Sequence, residues 1–138
     1  MTSFEGDTGP YLQYAHARLR SITRKAGLDP SQLGDSNIDL LTEPHAIDLV
    51  RYLAQWPDVL LQTTRTLEPT TILTYLFKMT HMLSSSYDVL KVVGSEEDVK
   101  KARMMLYEAA RQVLYNGMRI VGLSPVDRYV PPFSRRVR

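Results

Sequence analysis

Residues 8–27 read TGPYLQYAHARLRSITRKAG, with four cationic side chains and no carboxylate. Apolar residues recur along this stretch at intervals of three and four, at Leu12, Ala15, Leu19, Ile22 and Ala26. Such spacing lays one apolar stripe along a helix. Pro10 suits the first helical turn, where its missing N–H has no partner to lose, and Gly27 suits the position just past the end. The stretch therefore predicts an amphipathic helix whose exposed side is basic.

Two more helices are predicted in the first half of the chain. Residues 28–41 are rich in Pro, Gly, Asp, Ser and Asn, and they indicate a connecting loop. Thr42 then suits the N-cap of a second helix, which ends near Trp56 and Pro57. A shorter third helix is expected over residues 58–67.

Two longer amphipathic helices are predicted in the second half. Residues 70–90 indicate the fourth helix, which Gly94 and Ser95 break. Ser95 with Asp98 resembles a capping box for a fifth helix, which Gly122 closes. The side chains expected to be buried are Ile72, Leu76, Met79, Leu83 and Val89 or Leu90 in the fourth helix, and Val99, Ala102, Leu106, Ala109, Val113 and Ile120 in the fifth. No alternating β-branched run predicts a strand, so the expected fold class is an all-α bundle of about five helices.

The composition is that of a single globular domain. The chain has 138 residues, of which 43% are hydrophobic and 23% are charged, and this suffices for one ordinary core. No apolar run approaches the roughly 20 residues that cross a bilayer, so no membrane partner is expected. The first residues show neither a secretory signal nor an Arg-rich transit peptide. We expect a cytoplasmic protein, although a mitochondrial location stays open.

Positive charge is concentrated in two places. Residues 1–127 hold 13 Lys and Arg against 15 Asp and Glu, whereas residues 128–138 hold four Arg and no acid. The body of the protein is therefore not a generally basic nucleic-acid binder. The unbalanced cations belong to the first helix and to the C-terminal tail.

The sequence carries no motif for catalysis or for cofactor binding. It has no cysteine, and His16, His45 and His81 are scattered without the spacing of metal ligands. A glycine-rich phosphate loop and a GxSxG elbow are also absent. The acidic residues 96–98 are explained by the dipole of the helix that they begin. We expect no catalytic residue, no metal site and no cofactor in this chain.

Cations and tyrosines occupy defined sides of the first helix. At about 100° per residue, Gln13, Ala17, Arg20 and Arg24 fall opposite the apolar stripe, and Tyr11, Tyr14, Arg18 and Lys25 fall along one flank. Arginine donates two parallel hydrogen bonds to phosphate and tyrosine stacks on unpaired bases, so this pattern is typical of RNA binding. A solvated helix face with tyrosines at the edge of the core is the alternative, and spacing does not separate the two.

Three blocks of the sequence resemble one family. Residues 8–27 are similar to the opening of the C-terminal (DALR-type) anticodon-binding domain of arginyl-tRNA synthetases, with its TG, YxQYAHAR and SI pattern. Residues 75–94, YLFKMTHMLSSSYDVLKVVG, resemble the helix that ends in the family's Tyr and Val-Leu pair. Residues 102–128, ARMMLYEAARQVLYNGMRIVGLSPVDR, resemble its closing helix and terminal Gly-Leu-x-Pro-x-x-Arg turn. The likeness covers nearly all of residues 1–129 and looks closest to fungal cytosolic members.

The resemblance implies a helical bundle of the class I synthetase anticodon-binding type over residues 1–129, followed by a basic tail at residues 130–138. Such a domain docks on the inside corner of an arginine tRNA and helps to recognise its anticodon loop. The residues that the resemblance carries over as RNA contacts are Gln13, Tyr14, His16, Arg18, Arg20, Tyr87, Arg119 and Arg128.

Two departures from the family pattern bear on function. The chain lacks the HIGH-type and KMSKS-type signatures, so the domain that would bind ATP and form arginyl adenylate is missing, and the chain alone is not expected to aminoacylate. Eukaryotic cytosolic members end at Arg-Met, whereas here Arg128 is followed by Tyr129 and VPPFSRRVR. Tyr129 still offers a ring for base stacking and is included among the RNA contacts.

Three interpretations stay open. In the first, the chain is the tRNA-binding domain of an arginine–tRNA ligase without its catalytic domain. In the second, a stand-alone copy of the domain has become a structural RNA- or protein-binding component of a larger ribonucleoprotein assembly, which the altered terminus and the Arg tail favour. In the third, the chain serves a catalytic synthetase domain in trans through its first helix, although the sequence shows no apolar patch there beyond the core stripe.

Overall fold

The computed structural model describes residues 8–130, and every regular element in that range is a helix. Within it, five α-helices follow in order: α1 (Thr8–Ala26), α2 (Pro44–Leu53), α3 (Trp56–Thr66), α4 (Thr70–Ser86) and α5 (Glu97–Ile120). Two short 3-10 helices, Pro30–Gln32 and Ile38–Leu40, lie between α1 and α2. The predicted all-α fold class is confirmed. The expectations for residues 1–7 and for Arg135, Arg136 and Arg138 lie outside the described residues.

The core lies around α4, which packs against each of the other α-helices. The apolar stripes predicted for α1 and α4 are confirmed, since their fully buried side chains include Leu12, Leu19, Ile72, Leu76, Met79 and Leu83. Leu90 is buried and Val89 is exposed, so of the two alternatives Leu90 is the core residue. None of the helices between residues 8 and 130 meets the length and hydropathy that a transmembrane segment requires.

The stripe predicted for α5 is wrong in part. Ala102 and Leu106 are buried as expected, but Ile120 is 54% exposed. The side chains of Tyr107, Leu114 and Met118 are buried instead. Because α5 packs against α1, α2 and α4, its buried surface is wider than one stripe, and apolar spacing alone does not locate its centre.

The predicted start and end of α2 need correction. Thr42 is not the N-cap; Glu43 is, and it makes no side-chain cap hydrogen bond. The Glu43 carboxylate accepts a hydrogen bond from Arg103 Nη2 at 2.8 Å instead, which ties the start of α2 to α5. Trp56 and Pro57 do not end α2 but begin α3, because proline is compatible with a first helical turn.

The boundaries of α4 and α5 also differ from the prediction. Helix α4 ends at Ser86, and the residues up to Leu90 form a turn. The N-cap of α5 is Glu96, without a side-chain cap hydrogen bond, so the predicted capping box is not formed. The Ser95 hydroxyl instead donates to the Lys91 carbonyl at 2.7 Å and accepts from Arg103 Nη1 at 3.0 Å. Arg103 is the partner that spacing within the sequence did not reveal.

Gly122 closes α5, as predicted. It has φ +89°, which a residue with a Cβ rarely adopts. The N–H of Gly122 donates to the Arg119 carbonyl at 3.1 Å, and the N–H of Leu123 donates to the Met118 carbonyl at 2.8 Å. This pair of bonds is a Schellman motif, and it ends the helix sharply. The chain that follows lies along α1.

Candidate nucleic-acid interface

Helix α1 presents two parallel rows of polar side chains to different surroundings. The first row consists of Gln13, His16, Arg20 and Arg24, and it contacts the chain that follows α5. The second row consists of Tyr14, Arg18, Ser21 and Lys25, and it lines a surface groove. Both rows follow the helical spacing of three to four residues, so they run side by side along α1. Arg24, at the end of the first row, also lines the groove.

Gln13 holds the backbone of residues 124–129, here called the terminal segment. Its Nε2 donates to the Ser124 carbonyl at 2.8 Å, and its Oε1 accepts from the N–H of Val126 at 2.9 Å. The terminal segment is neither helix nor strand, so its backbone groups need partners of this kind. Both halves of the Gln13 amide are therefore engaged within the protein.

Asp127 receives the cations of the first row. The carboxylate lies 3.2 Å from Nε of Arg20, and the Asp127 carbonyl accepts a hydrogen bond from Arg24 Nη1 at 3.2 Å. Both residues of the ion pair are partly exposed, so the pair stabilises the fold by about 1 kcal/mol at most. The ion pair mainly changes the electrostatic potential, because the Asp127 carboxylate offsets part of the positive potential of α1.

His16 lies inside the protein. It is 1% exposed, and its Nδ1 lies 2.8 Å from the Val126 carbonyl. Burial lowers the pKa of His16 below its usual 6.5, and the nearby Arg111 guanidinium lowers it further, against the raising effects of the Val126 carbonyl and Asp127. In the neutral ring that carries its proton on Nδ1, Nδ1 donates to the Val126 carbonyl. Nε2 has no hydrogen-bond partner, but in this tautomer it is an acceptor, so the ring has no unpaired donor. A ring in this position has no surface for an external ligand.

The groove beside α1 is open and cationic. It encloses about 510 Å³ between the second row of α1 and the end of the terminal segment. The side chains around it are Tyr14, Ala17, Arg18, Ser21, Ile22, Arg24, Lys25, Arg128 and Tyr129. Four of these are cations and none is an acid, so the groove favours a polyanion over a neutral ligand.

Two tyrosines meet at one end of the groove. The rings of Tyr14 and Tyr129 are 6.0 Å apart between centroids and nearly perpendicular, at 89°. An edge-to-face pair leaves ring faces uncovered, and Tyr14 is half exposed. The pair therefore offers an aromatic surface beside the cations of the groove.

Arg18 stands at the centre of the candidate interface. Its guanidinium carbon lies 4.4 Å from the centroid of the Tyr87 ring, a cation–π contact. Smaller cavities of about 290 and 270 Å³ flank this pair, and both are lined by Arg18 and Tyr87. Tyr87 packs in turn against Tyr107 at 5.6 Å, and burial raises the pKa of the Tyr87 hydroxyl well above its usual value. Tyr87 is therefore a neutral ring at physiological pH.

The structure divides the residues predicted to bind RNA into three groups. Those that lie together at the groove and its flanking cavities are Tyr14, Arg18, Tyr87, Arg128 and Tyr129. Those whose side chains face the terminal segment are Gln13, His16 and Arg20. Arg119 is exposed near the end of α5 and does not line the groove.

Some residues of the interface were missed by sequence reasoning. Lys25 and Arg24 line the groove but were assigned no RNA contact, and Asp127 was not recognised as a partner of α1. One signal existed for Asp127, since it is the last acidic residue of the chain and follows a helix whose last turn carries Arg119 and no acid.

The described residues hold no cluster of three or more His, Asp or Glu side chains arranged to bind a metal ion. The groove beside α1 is lined by cations and tyrosines, which suit phosphate and bases rather than a metal. The chemistry that this arrangement supports is non-covalent binding of a nucleic acid.

Comparison with known proteins agrees with the geometry. The family model described as the DALR anticodon binding domain matches residues 12–128. The chain is 59% identical over 129 residues to the cytoplasmic arginine–tRNA ligase of Saccharomyces cerevisiae and 50% identical over 129 residues to the mitochondrial ligase of the same yeast. The resemblance to fungal cytosolic members is therefore confirmed.

A solved structure agrees with the fold. The arginyl-tRNA synthetase of Thermus thermophilus superimposes with a TM-score of 0.80 at 27% identity, covering 91% of this chain and 22% of that chain. Both yeast alignments cover 93% of this chain, but only 21% of the cytoplasmic enzyme and 20% of the mitochondrial one. The chain thus spans about a fifth of the length of the relatives it matches.

Proposed function

The chain belongs to the DALR anticodon-binding domain family, and from that premise we propose that it binds a tRNA through the groove beside α1. The observation that supports this proposal most strongly is the position of Arg18, which contacts the Tyr87 ring and lines the same groove as the Tyr14–Tyr129 pair. A guanidinium binds phosphate through paired hydrogen bonds, and aromatic rings stack on unpaired bases. An anticodon loop presents both groups within a short distance.

We propose that the preferred ligand is an arginine tRNA. The family and the identity to the yeast arginine–tRNA ligases support this choice of tRNA. The role of the groove is to hold the anticodon arm, with Arg18, Lys25 and Arg128 near the backbone and the tyrosines near the bases. Because phosphate contacts carry no sequence information, discrimination between tRNAs would fall to the aromatic and polar groups that reach bases.

We further propose that aminoacylation requires a catalytic domain, which corresponds to a part of the yeast enzymes that does not align with this chain. About four-fifths of the length of the yeast cytoplasmic enzyme lies outside the alignment. ATP binding and arginine activation would belong to that part, whether it is joined to this chain or supplied separately. The higher identity to the cytoplasmic enzyme than to the mitochondrial one supports a cytoplasmic location.

The proposal is tested by fluorescence anisotropy with the purified chain and three RNAs at two salt concentrations. The RNAs are an arginine tRNA transcript, the same transcript with a mutated anticodon, and an unrelated tRNA. Preference for the intact arginine tRNA supports anticodon recognition. Equal and steeply salt-dependent binding to all three would overturn recognition and leave a general RNA-binding domain, as the assembly-component interpretation requires. Absence of binding at low salt would overturn RNA binding itself.

A further inference from the structure

We infer that Gln13 is a positioning residue, which places Arg128 and Tyr129 at the groove without touching RNA itself. This inference rests on the proposed function. Gln13 uses both ends of its amide on the terminal segment, through the Ser124 carbonyl and the Val126 N–H. The residues that Gln13 binds, Ser124 and Val126, lie only a few positions before Arg128 and Tyr129 in the sequence.

The terminal segment depends on α1 for its conformation. It has no helical or strand hydrogen bonds of its own, and it leaves α5 through the tight turn at Gly122. Its backbone is held by Gln13, by His16 at the Val126 carbonyl and by Arg24 at the Asp127 carbonyl. Gln13 is the one member of this group that binds the segment through both a donor and an acceptor, so it fixes the segment's position and orientation.

The two rows of α1 connect this anchoring to the groove. Gln13 and Tyr14 are neighbours in sequence, one facing the start of the terminal segment and the other facing its end at Tyr129. If the two hydrogen bonds of the Gln13 side chain are lost, Tyr129 is free to leave Tyr14, and Arg128 is free to leave the groove. RNA affinity would fall although no RNA contact had been removed.

Three variants test the inference in the full chain. Gln13→Met keeps the length of the side chain and removes both hydrogen bonds. Gln13→Glu keeps an acceptor for the Val126 N–H, but it replaces the donor to the Ser124 carbonyl with a carboxylate oxygen that repels this carbonyl. Gln112→Met, at an exposed position of α5, is the matched control.

Two measurements are made on each variant. Hydrogen–deuterium exchange of the Val126 amide reports whether the terminal segment is held, and anisotropy with the arginine tRNA transcript reports affinity. We expect Gln13→Met to speed exchange at Val126 and to weaken binding about fivefold or more, which is the loss of one stacking side chain. Gln13→Glu should also speed exchange and weaken binding relative to the parent, because its carboxylate repels the Ser124 carbonyl. Gln112→Met should match the parent in both measurements.

A double-mutant cycle separates positioning from general destabilisation. If Gln13 acts through the end of the segment, Gln13→Met should cost little further affinity in a Tyr129→Ala background. Additive losses, unchanged exchange at Val126, or faster exchange with unchanged affinity would each overturn the inference. If the parent does not bind the transcript, the proposed function fails and this inference fails with it. If the parent binds and Gln13→Met binds equally well, only this inference fails.

Discussion

The Arg18 guanidinium covers one face of the Tyr87 ring, with 4.4 Å between the guanidinium carbon and the ring centroid. Tyr107 packs against the same tyrosine at a centroid distance of 5.6 Å. A base therefore cannot stack on the covered face of Tyr87 unless Arg18 moves. In this arrangement Tyr87 holds the cation in place, and a stacking role for Tyr87 stays a prediction.

We predict that Arg18→Ala weakens tRNA binding and flattens its salt dependence. Arg18 lines the main groove and both flanking cavities. None of the ion pairs found between residues 8 and 130 includes Arg18. Loss of one phosphate contact should reduce the slope of log affinity against log salt by about one unit at most. The measurement is anisotropy with the arginine tRNA transcript across a salt series.

Two other arginines serve as comparisons for Arg18. Arg65 is exposed on α3, away from the groove lining, so Arg65→Ala should leave the salt slope unchanged. Arg20 is paired with Asp127, so Arg20→Ala should reduce the slope less than Arg18→Ala does. Equal slopes for all three variants and the parent would show that Arg18 does not bind phosphate.

We predict that Tyr14→Ala costs about 1 to 3 kcal/mol of RNA-binding free energy, the range for one base stacked on one aromatic ring. Tyr14 is half exposed and belongs to the edge-to-face pair with Tyr129. Tyr14→Phe keeps the ring and is the control, which should bind within a factor of about two of the parent. If Tyr14→Phe and Tyr14→Ala lose the same affinity, the hydroxyl rather than the ring makes the contact.

Helical spacing was sufficient to predict the five helices and the exposure of Tyr14 and Arg18. The stripe of α1 containing Leu12 and Leu19 is buried as expected, and that stripe orients Tyr14 and Arg18 to the surface. Spacing also held a signal that was not used. His16 lies four residues after Leu12 and three before Leu19, so it belongs to the buried stripe.

The surroundings of Gln13 and Arg20 depend on contacts between distant parts of the chain. Gln13 and Arg20 were placed on the exposed side of α1, where a helix considered alone would leave them. They are instead covered by residues more than 100 positions later in the sequence, at Ser124, Val126 and Asp127. The path of a segment without regular structure is set by packing and by satisfaction of its backbone, and no local pattern encodes it.

We predict that Gly117→Ala lowers the free energy of unfolding by about 1 to 2 kcal/mol. A Cβ at residue 117 would lie 2.8 Å from both Cδ atoms of Leu76, where α5 and α4 are in close contact. Leu76 is fully buried, so it has little room to move, and the clash outweighs the gain of about 1 kcal/mol in helix propensity. Gly34→Ala is the control, because a Cβ there meets no atom within 4 Å. Equal urea midpoints for the two variants would contradict the prediction.

We predict that His16 makes the fold less stable as the pH falls below about 6.5. Burial lowers the pKa of His16 in the folded protein, so the unfolded chain takes up a proton at pH values where the folded protein does not. The unfolding free energy should therefore be independent of His16 above about pH 7 and should decrease from there down to the lowered pKa. Urea titrations between about pH 7.5 and 5 should show this slope in the parent and in His45→Gln, whose imidazole is exposed, but not in His16→Gln. A slope that persists in His16→Gln would assign the proton uptake to another group.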